Sequence, residues 1–160
     1  MIYTTTDVIC CFPGIGRTTF SEENKHEGST FALDLDYDGT NLKAFIDRVK
    51  AEREKKAHRY ILVPMDAEIL MALRESNIAH ITVVPSYDEF NEWAVRWMHS
   101  GATAEMIIAR KKRWREIDGY SDRSVWSSEA CVIRLGTGEW LGNVLEQAPA
   151  TQDERKDVGA

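Results

Sequence analysis

CFPGIGRTT, residues 11–19, is the stretch that decides the fold of this chain. It overlaps the end of the apolar run Thr6–Phe12, which contains β-branched residues and stops at Pro13 and Gly14. A short apolar run closed by such a turn predicts a buried β-strand. We expect a helix from Arg17 onwards, so the stretch predicts a strand, a glycine-rich turn and a helix in direct succession.

Strand and helix signals alternate along the rest of the chain. Because the crossovers of βαβ units place helices on the faces of a parallel sheet, this alternation predicts an α/β fold. We expect three layers, with a parallel sheet of about five strands and helices on both faces. The polar, aperiodic segment 21–29 is expected to be an exposed loop. Later strands are predicted at Phe31–Leu35, Arg59–Pro64, Ile81–Val84 and Cys131–Leu135, and later helices at 41–56, 66–77 and 87–117, the last split near His99–Gly101.

Length and composition predict one globular domain. A chain of 160 residues with 43% hydrophobic content can bury a core without disulfides. We expect this domain to cover residues 1–147, with a lid-like helical segment near 87–117 and a flexible C-terminal tail at 148–160. Three cysteines, two of them adjacent in the first apolar run, favour reduced buried thiols over a disulfide or zinc site.

Charge and hydropathy exclude two classes of partner. The net charge of −6 argues against an extended nucleic-acid surface, because such binding needs clustered lysine and arginine. No apolar run approaches the roughly 20 residues that cross a bilayer, and the N-terminus lacks the basic start of a signal peptide. We therefore expect a cytoplasmic protein with no membrane partner.

The glycine-rich turn lies where a phosphate-binding loop would lie. Backbone N–H groups of such a loop surround an anion, the next helix adds its N-terminal dipole, and glycines permit the close approach. Against the pattern G-x-x-x-x-G-K-[ST], Cys11 replaces the first glycine and Arg17 replaces the lysine. Arginine can still pair with phosphate, but with a different reach. A plain strand-turn-helix corner is the alternative. The predicted nucleotide-binding residues are Phe12, Pro13, Gly14, Ile15, Gly16, Arg17, Thr18 and Thr19, and the hydroxyl of Thr18 would bind Mg²⁺.

FPGIGRTTF, residues 12–20, resembles the FPGxGKS/T loop of adenylate-kinase-like P-loop nucleotide kinases, particularly short phage-encoded nucleoside or deoxynucleoside monophosphate kinase-like proteins. The likeness extends at the level of pattern from Asp7 to Leu145. It implies ATP and Mg²⁺ as cofactors and, for a phage protein, the host cytoplasm as location. It also matches Asp34-Leu35-Asp36 to an acidic motif, so Asp34 and Asp36 would orient the phosphate acceptor or hold Mg²⁺ through water. Alternatively, these aspartates only close a strand and cap the next helix.

The segment near 87–117 carries the densest basic region of an acidic chain. By resemblance it is a lid whose arginines, Arg96 and Arg110 among them, cover the transferred phosphoryl group. A solvated helix face is the alternative, and Ser100 stands where the family often has another arginine. Trp93, Trp97 and Trp114 are interpreted as core, with a base-stacking platform as the alternative reading.

Two functions follow from the resemblance. In the first, Arg17, Asp34, Asp36, Arg96 and Arg110 serve an ATP-dependent phosphotransferase acting on a nucleoside, a nucleoside monophosphate or a modified nucleotide. In the second, the departures at Cys11, Arg17 and Ser100 mark a nucleotide-binding protein that has lost catalysis and acts as a sensor or interaction module. A doubly wound binding domain with an accidental glycine turn is a third reading.

Overall fold

The computed structural model describes residues 6–26, 29–86, 89–119 and 132–148, so nearly all of the predicted tail lies outside the described residues. Its strands are β1 (Val8–Cys11), β2 (Lys25–His26), β3 (Ser29–Thr30), β4 (Ala32–Asp34), β5 (Tyr60–Pro64), β6 (His80–Pro85) and β7 (Val132–Leu135). Its helices are α1 (Arg17–Glu23), α2 (Leu42–Lys55), α3 (Ala67–Glu75), α4 (Phe90–His99), α5 (Ala104–Gly119) and α6 (Leu141–Val144).

The main sheet has five parallel strands in the order β4-β5-β1-β6-β7. The predicted α/β fold is therefore confirmed, and the arrangement is consistent with three layers. From β1 the chain passes over β5 to form β4 at one edge of the sheet. On the other side of β1, β6 is followed by β7 at the opposite edge. Because the connections from β1 and β6 run in opposite directions, the carboxyl end of β1 lies at a topological switch point, where ligands bind in such sheets.

The core is built around β1, whose four residues are at most 3% exposed. Phe12, directly after β1, packs against the Trp97 ring at 6.0 Å and edge-on against Trp114 at 5.7 Å. Trp93, Trp97 and Trp114 are all buried, as the core interpretation predicted. These rings join α4 and α5 to the end of the central strand, and they therefore position whatever these helices present there.

Local sequence explains the helix boundaries. The side chain of Asn41, the N-cap of α2, accepts a hydrogen bond from the backbone N–H of Ala44 at 3.0 Å. Gly101, with φ of 89°, provides the left-handed turn that separates α4 from α5. Within the described ranges, no helix is long and apolar enough to cross a membrane.

The exposed loop predicted at 21–29 was wrong in its first half. Residues 21–23 belong to α1, and Ser21 and Asn24 are only 4% and 2% exposed. The Ser21 hydroxyl donates to the carbonyl of Ala32, and the Asn24 amide donates to Phe20 O and Gln147 Oε1. These polar side chains can be buried because partners distant in sequence satisfy them.

Candidate functional site

The predicted phosphate loop lies at the carboxyl end of the central strand and is tied to its neighbours by backbone hydrogen bonds. Phe12 N donates to Val83 O at 3.0 Å, and Leu141 N donates to Ile15 O at 2.9 Å. The loop is therefore held between β6 and the start of α6. The helix that follows it, α1, has seven residues. The expected contribution of a helix dipole is correspondingly small, and the loop itself with its side-chain neighbours makes the site.

Gly14 is the closest packed residue of the loop. Its φ is 80°, and its carbonyl accepts a hydrogen bond from Trp97 Nε1 at 2.9 Å. A Cβ built on Gly14 would lie 2.6 Å from Trp97 Nε1 and 2.7 Å from Arg110 Nη1. Only glycine therefore fits at position 14, where the loop packs against these two side chains.

A cavity of about 1080 Å³ opens on the loop, large enough for a nucleotide-sized ligand. Seven of the eight predicted nucleotide-binding residues line it; the eighth, Ile15, is fully buried. Another wall comes from the turn after α4, including Ser100, and from Met106 and Arg110 on α5. A third wall comes from Trp140, Asn143 and Gln147, at and beyond the start of α6. Gly138-Glu139-Trp140-Leu141 resembles a G-E/Q-x-L element of the same nucleotide kinases, but sequence reasoning gave these last residues no site role, because only the fold brings them to the loop.

Cys11 also lines the cavity, at the position of the first consensus glycine. Burial raises the pKa of its thiol to about 12. The thiol is therefore neutral near pH 7 and does not act as a nucleophile, since thiolate is the reactive form.

Arg17 is turned towards the two predicted aspartates. Its Nε lies 2.9 Å from Asp34 Oδ1, and its Nη2 donates to Asp36 Oδ1 at 2.6 Å. The Thr18 hydroxyl donates to Asp34 Oδ2 at 3.3 Å. The structure thus brings together Arg17, Thr18, Asp34 and Asp36, which lie up to 19 positions apart in sequence.

The environment of Asp34 bears on the predicted Mg²⁺ site. Burial raises the pKa of this carboxyl, Arg17 opposes the rise, and Asp36 adds to it. Asp34 Oδ1 is buried and accepts no hydrogen bond within the described part of the chain, although Arg17 Nε is near. No group of three or more acidic, His or Cys side chains able to hold a metal occurs among the described residues. Thr18 and Asp34 nevertheless suit Mg²⁺, which often takes one or two protein ligands and completes its shell with water and phosphates.

The two predicted lid arginines occupy different places. Arg110 lines the cavity, lies against Gly14, and has its guanidinium carbon 4.9 Å from the centre of the Trp97 ring. Arg96 lies outside the cavity, between the rings of Trp93 and Trp140 at 3.9 and 3.8 Å, and donates to Glu139 O. Arg96 therefore packs α4 against the segment that carries Trp140.

A second cavity of about 470 Å³ opens at the carboxyl ends of β4 and β5. Among the described residues that line it, the one cation is Arg113, which donates to Met65 O and lies 4.0 Å from Asp66 Oδ2. The remaining wall includes Tyr37, Asp38 and Glu68. Its lining residues Tyr37 and Asp38 come shortly after Asp34 and Asp36 in sequence, and its lining is acidic.

The chain matches no family model, and a search of the curated proteins gave no significant match.

Proposed function

We propose that this chain is an ATP-dependent phosphotransferase that acts on a nucleoside, a nucleoside monophosphate or a modified nucleotide. The observation that carries the proposal is the large cavity at the carboxyl end of the central strand, where a glycine-rich loop faces Arg110. Phosphoryl transfer depends mainly on positioning and charge neutralisation, which a loop of backbone N–H groups and one cation can provide.

The cofactors fit specific residues of this site. Residues 12–19 would hold the phosphates of ATP, and Thr18 with Asp34 would hold Mg²⁺, whose charge offsets that of the phosphates when it is bound. Trp140, on the third wall of the cavity, offers an aromatic surface to the base. We place the protein in the cytoplasm, the host cytoplasm if a phage encodes it, where ATP is abundant and where buried thiols such as Cys10 stay reduced.

The charges around the site distinguish a neutral nucleoside from a nucleoside monophosphate as the phosphate acceptor. Near the acidic second cavity, Arg17 is paired with Asp34 and Asp36, and Arg113 lies beside Asp66. A dianionic monophosphate would meet carboxylates there, and like charges at close range are repelled. The proposal therefore favours a neutral nucleoside hydroxyl as acceptor over a nucleoside monophosphate.

A second candidate function has one observation in its favour. Arg17 stands at the lysine position but is engaged by two carboxylates, which suits a protein that binds nucleotide without turning it over. If Arg17→Lys raises turnover sharply, lost catalysis is favoured. If Arg17→Ala abolishes an activity that is already robust, the arginine works in place of the lysine.

Calorimetric titration with ATP and with ADP, each with and without Mg²⁺, tests the proposal. We expect micromolar binding that depends on Mg²⁺, and Asp34→Asn should reduce that dependence. A screen of nucleosides and monophosphates for acceptor-dependent ADP release then follows. Binding without release of ADP for any acceptor would support the non-catalytic module, whereas no binding of either nucleotide would refute both functions.

A further inference from the structure

Among the described residues, three arginines line the two cavities, Arg17, Arg110 and Arg113, and a fourth, Arg96, lies on α4 beside the first cavity; three of these four are already engaged. Arg17 pairs with two aspartates, Arg96 lies between two indole rings and donates to a carbonyl, and Arg113 donates to Met65 O near Asp66. Arg110 differs, because no carboxylate of the described ranges forms an ion pair with it. Of these four arginines, Arg110, which lies against Gly14, is thus the one that forms no ion pair within the described residues.

Among the residues that the structure describes, Arg110 is held in place by an aromatic ring and not by an anion. Its guanidinium lies over the Trp97 ring, and Trp97 is itself fixed by its hydrogen bond to Gly14 O. Burial lowers the pKa of Arg110, and no neighbouring charge contributes to that shift. A half-buried cation without a counterion is costly, and an anion bound at the loop would remove that cost.

We infer that Arg110, and not Arg17, is the cation that contacts an oligophosphate bound at the loop, and that Trp97 positions it there. The inference rests on the proposed function and deepens it by exchanging the roles of two arginines. Arg17, at the consensus lysine position, pairs with Asp34 and Asp36, and Arg110, 93 positions later, contacts the phosphate in its place. The guanidinium suits both tasks, because it can stack on an aromatic ring and bridge two acceptors.

The expected ligand chemistry is a linear oligophosphate, so the test uses inorganic pyrophosphate and ATP without Mg²⁺. Calorimetry on the full chain compares wild type with Arg110→Ala, Arg110→Lys and Arg17→Ala. Arg48→Ala, an exposed arginine on α2, is the control for the loss of one positive charge. Circular dichroism and thermal unfolding establish that each variant is folded, and Arg110→Lys provides a milder change at the same position.

We expect Arg110→Ala to weaken pyrophosphate binding by about 10- to 100-fold, the effect of losing a hydrogen bond to a charged group. Arg110→Lys should fall between wild type and Arg110→Ala, because an ammonium keeps the charge but loses the stacking on Trp97. Arg17→Ala and Arg48→Ala should change the affinity by less than about 3-fold.

Three results separate this inference from the proposed function. If Arg17→Ala, and not Arg110→Ala, abolishes pyrophosphate binding, the exchange of roles is refuted and the proposed function stands. If Arg110→Ala lowers only kcat and leaves pyrophosphate affinity unchanged, Arg110 acts solely on the transferred group and the inference is again refuted. If wild type binds neither pyrophosphate nor ATP, the inference and the proposed function both fail.

Discussion

Replacing Gly14 by alanine tests the packing between the loop and Trp97. At φ of 80°, any side chain strains the backbone by about 1–2 kcal/mol. The new Cβ would also lie 2.6 Å from Trp97 Nε1, well inside contact distance, and the buried indole has little room to move. Displacing it would break the hydrogen bond to Gly14 O, worth about 1 kcal/mol, and disturb the stack on Phe12, worth about 0.5–1.5 kcal/mol. Together these contributions lower the free energy of unfolding by about 2.5–4.5 kcal/mol.

Gly138→Ala is the matched control. Gly138 has φ of 76°, and nothing lies within 4 Å of a Cβ built on it, so only the backbone strain of about 1–2 kcal/mol applies. Urea unfolding followed by tryptophan fluorescence measures both free energies. For a chain of this size, at about 2–4 °C per kcal/mol, we expect Gly14→Ala to lower Tm by roughly 5–18 °C. If the two variants lose the same stability to within about 0.5 kcal/mol, which is close to the error of such extrapolated values, Gly14 is not confined by Trp97 and the packing described for the loop is wrong.

Three further substitutions test neighbouring parts of the site. Arg96→Lys should lower the free energy of unfolding by about 1–3 kcal/mol in urea, because an ammonium cannot lie flat between two indole rings; a loss below about 0.5 kcal/mol would argue against that stacking. Burial raises the pKa of Asp34 above its unfolded value of about 3.9, so its contribution to stability is lost as pH rises from near 4 through the raised pKa. Asp34→Asn should therefore gain stability relative to wild type across that window, whereas a constant difference between their unfolding free energies would contradict it. Trp97→Phe should weaken pyrophosphate binding about 3- to 10-fold through loss of Arg110 stacking, whereas the buried Trp114→Phe should not; equal effects would make Trp97 an ordinary core residue.

The strands and helices could be predicted because their signals are local. Buried parallel strands appear as continuous apolar runs, and the side chain of Asn41 caps the helix that it precedes. The alternation of the two patterns was enough to predict a parallel sheet of about five strands. The strand order was not predicted, because neighbours in the sheet such as β1 and β5 are about 50 positions apart in sequence and no local pattern encodes their pairing.

The burial and direction of polar side chains could not be predicted from local sequence. Ser21 and Asn24 lie in a segment that looks like a solvated loop, and their burial depends on hydrogen bonds to Ala32 and Gln147. The glycine-rich turn between β1 and α1 could be predicted because glycines directly after a strand have a local meaning. Local sequence does not determine the direction of the Arg17 side chain, because that direction depends on where the end of β4 lies relative to the start of α1.

The arginine at position 17 has a physical explanation that does not require a decayed lysine. Asp34 ends β4 and Asp36 follows it by two residues; Asp36 makes ionisation of Asp34 less favourable, and the Arg17 cation opposes that effect. A guanidinium can contact one carboxylate through Nε and the other through Nη2, as Arg17 does, whereas an ammonium is a point charge without such a fork. An arginine held in this way by two carboxylates leaves the phosphate binding that we propose for the loop dependent on another cation. Arg110 lies against Gly14, and no carboxylate of the described residues forms an ion pair with it, so our proposal accounts for both the arginine at position 17 and the position of Arg110.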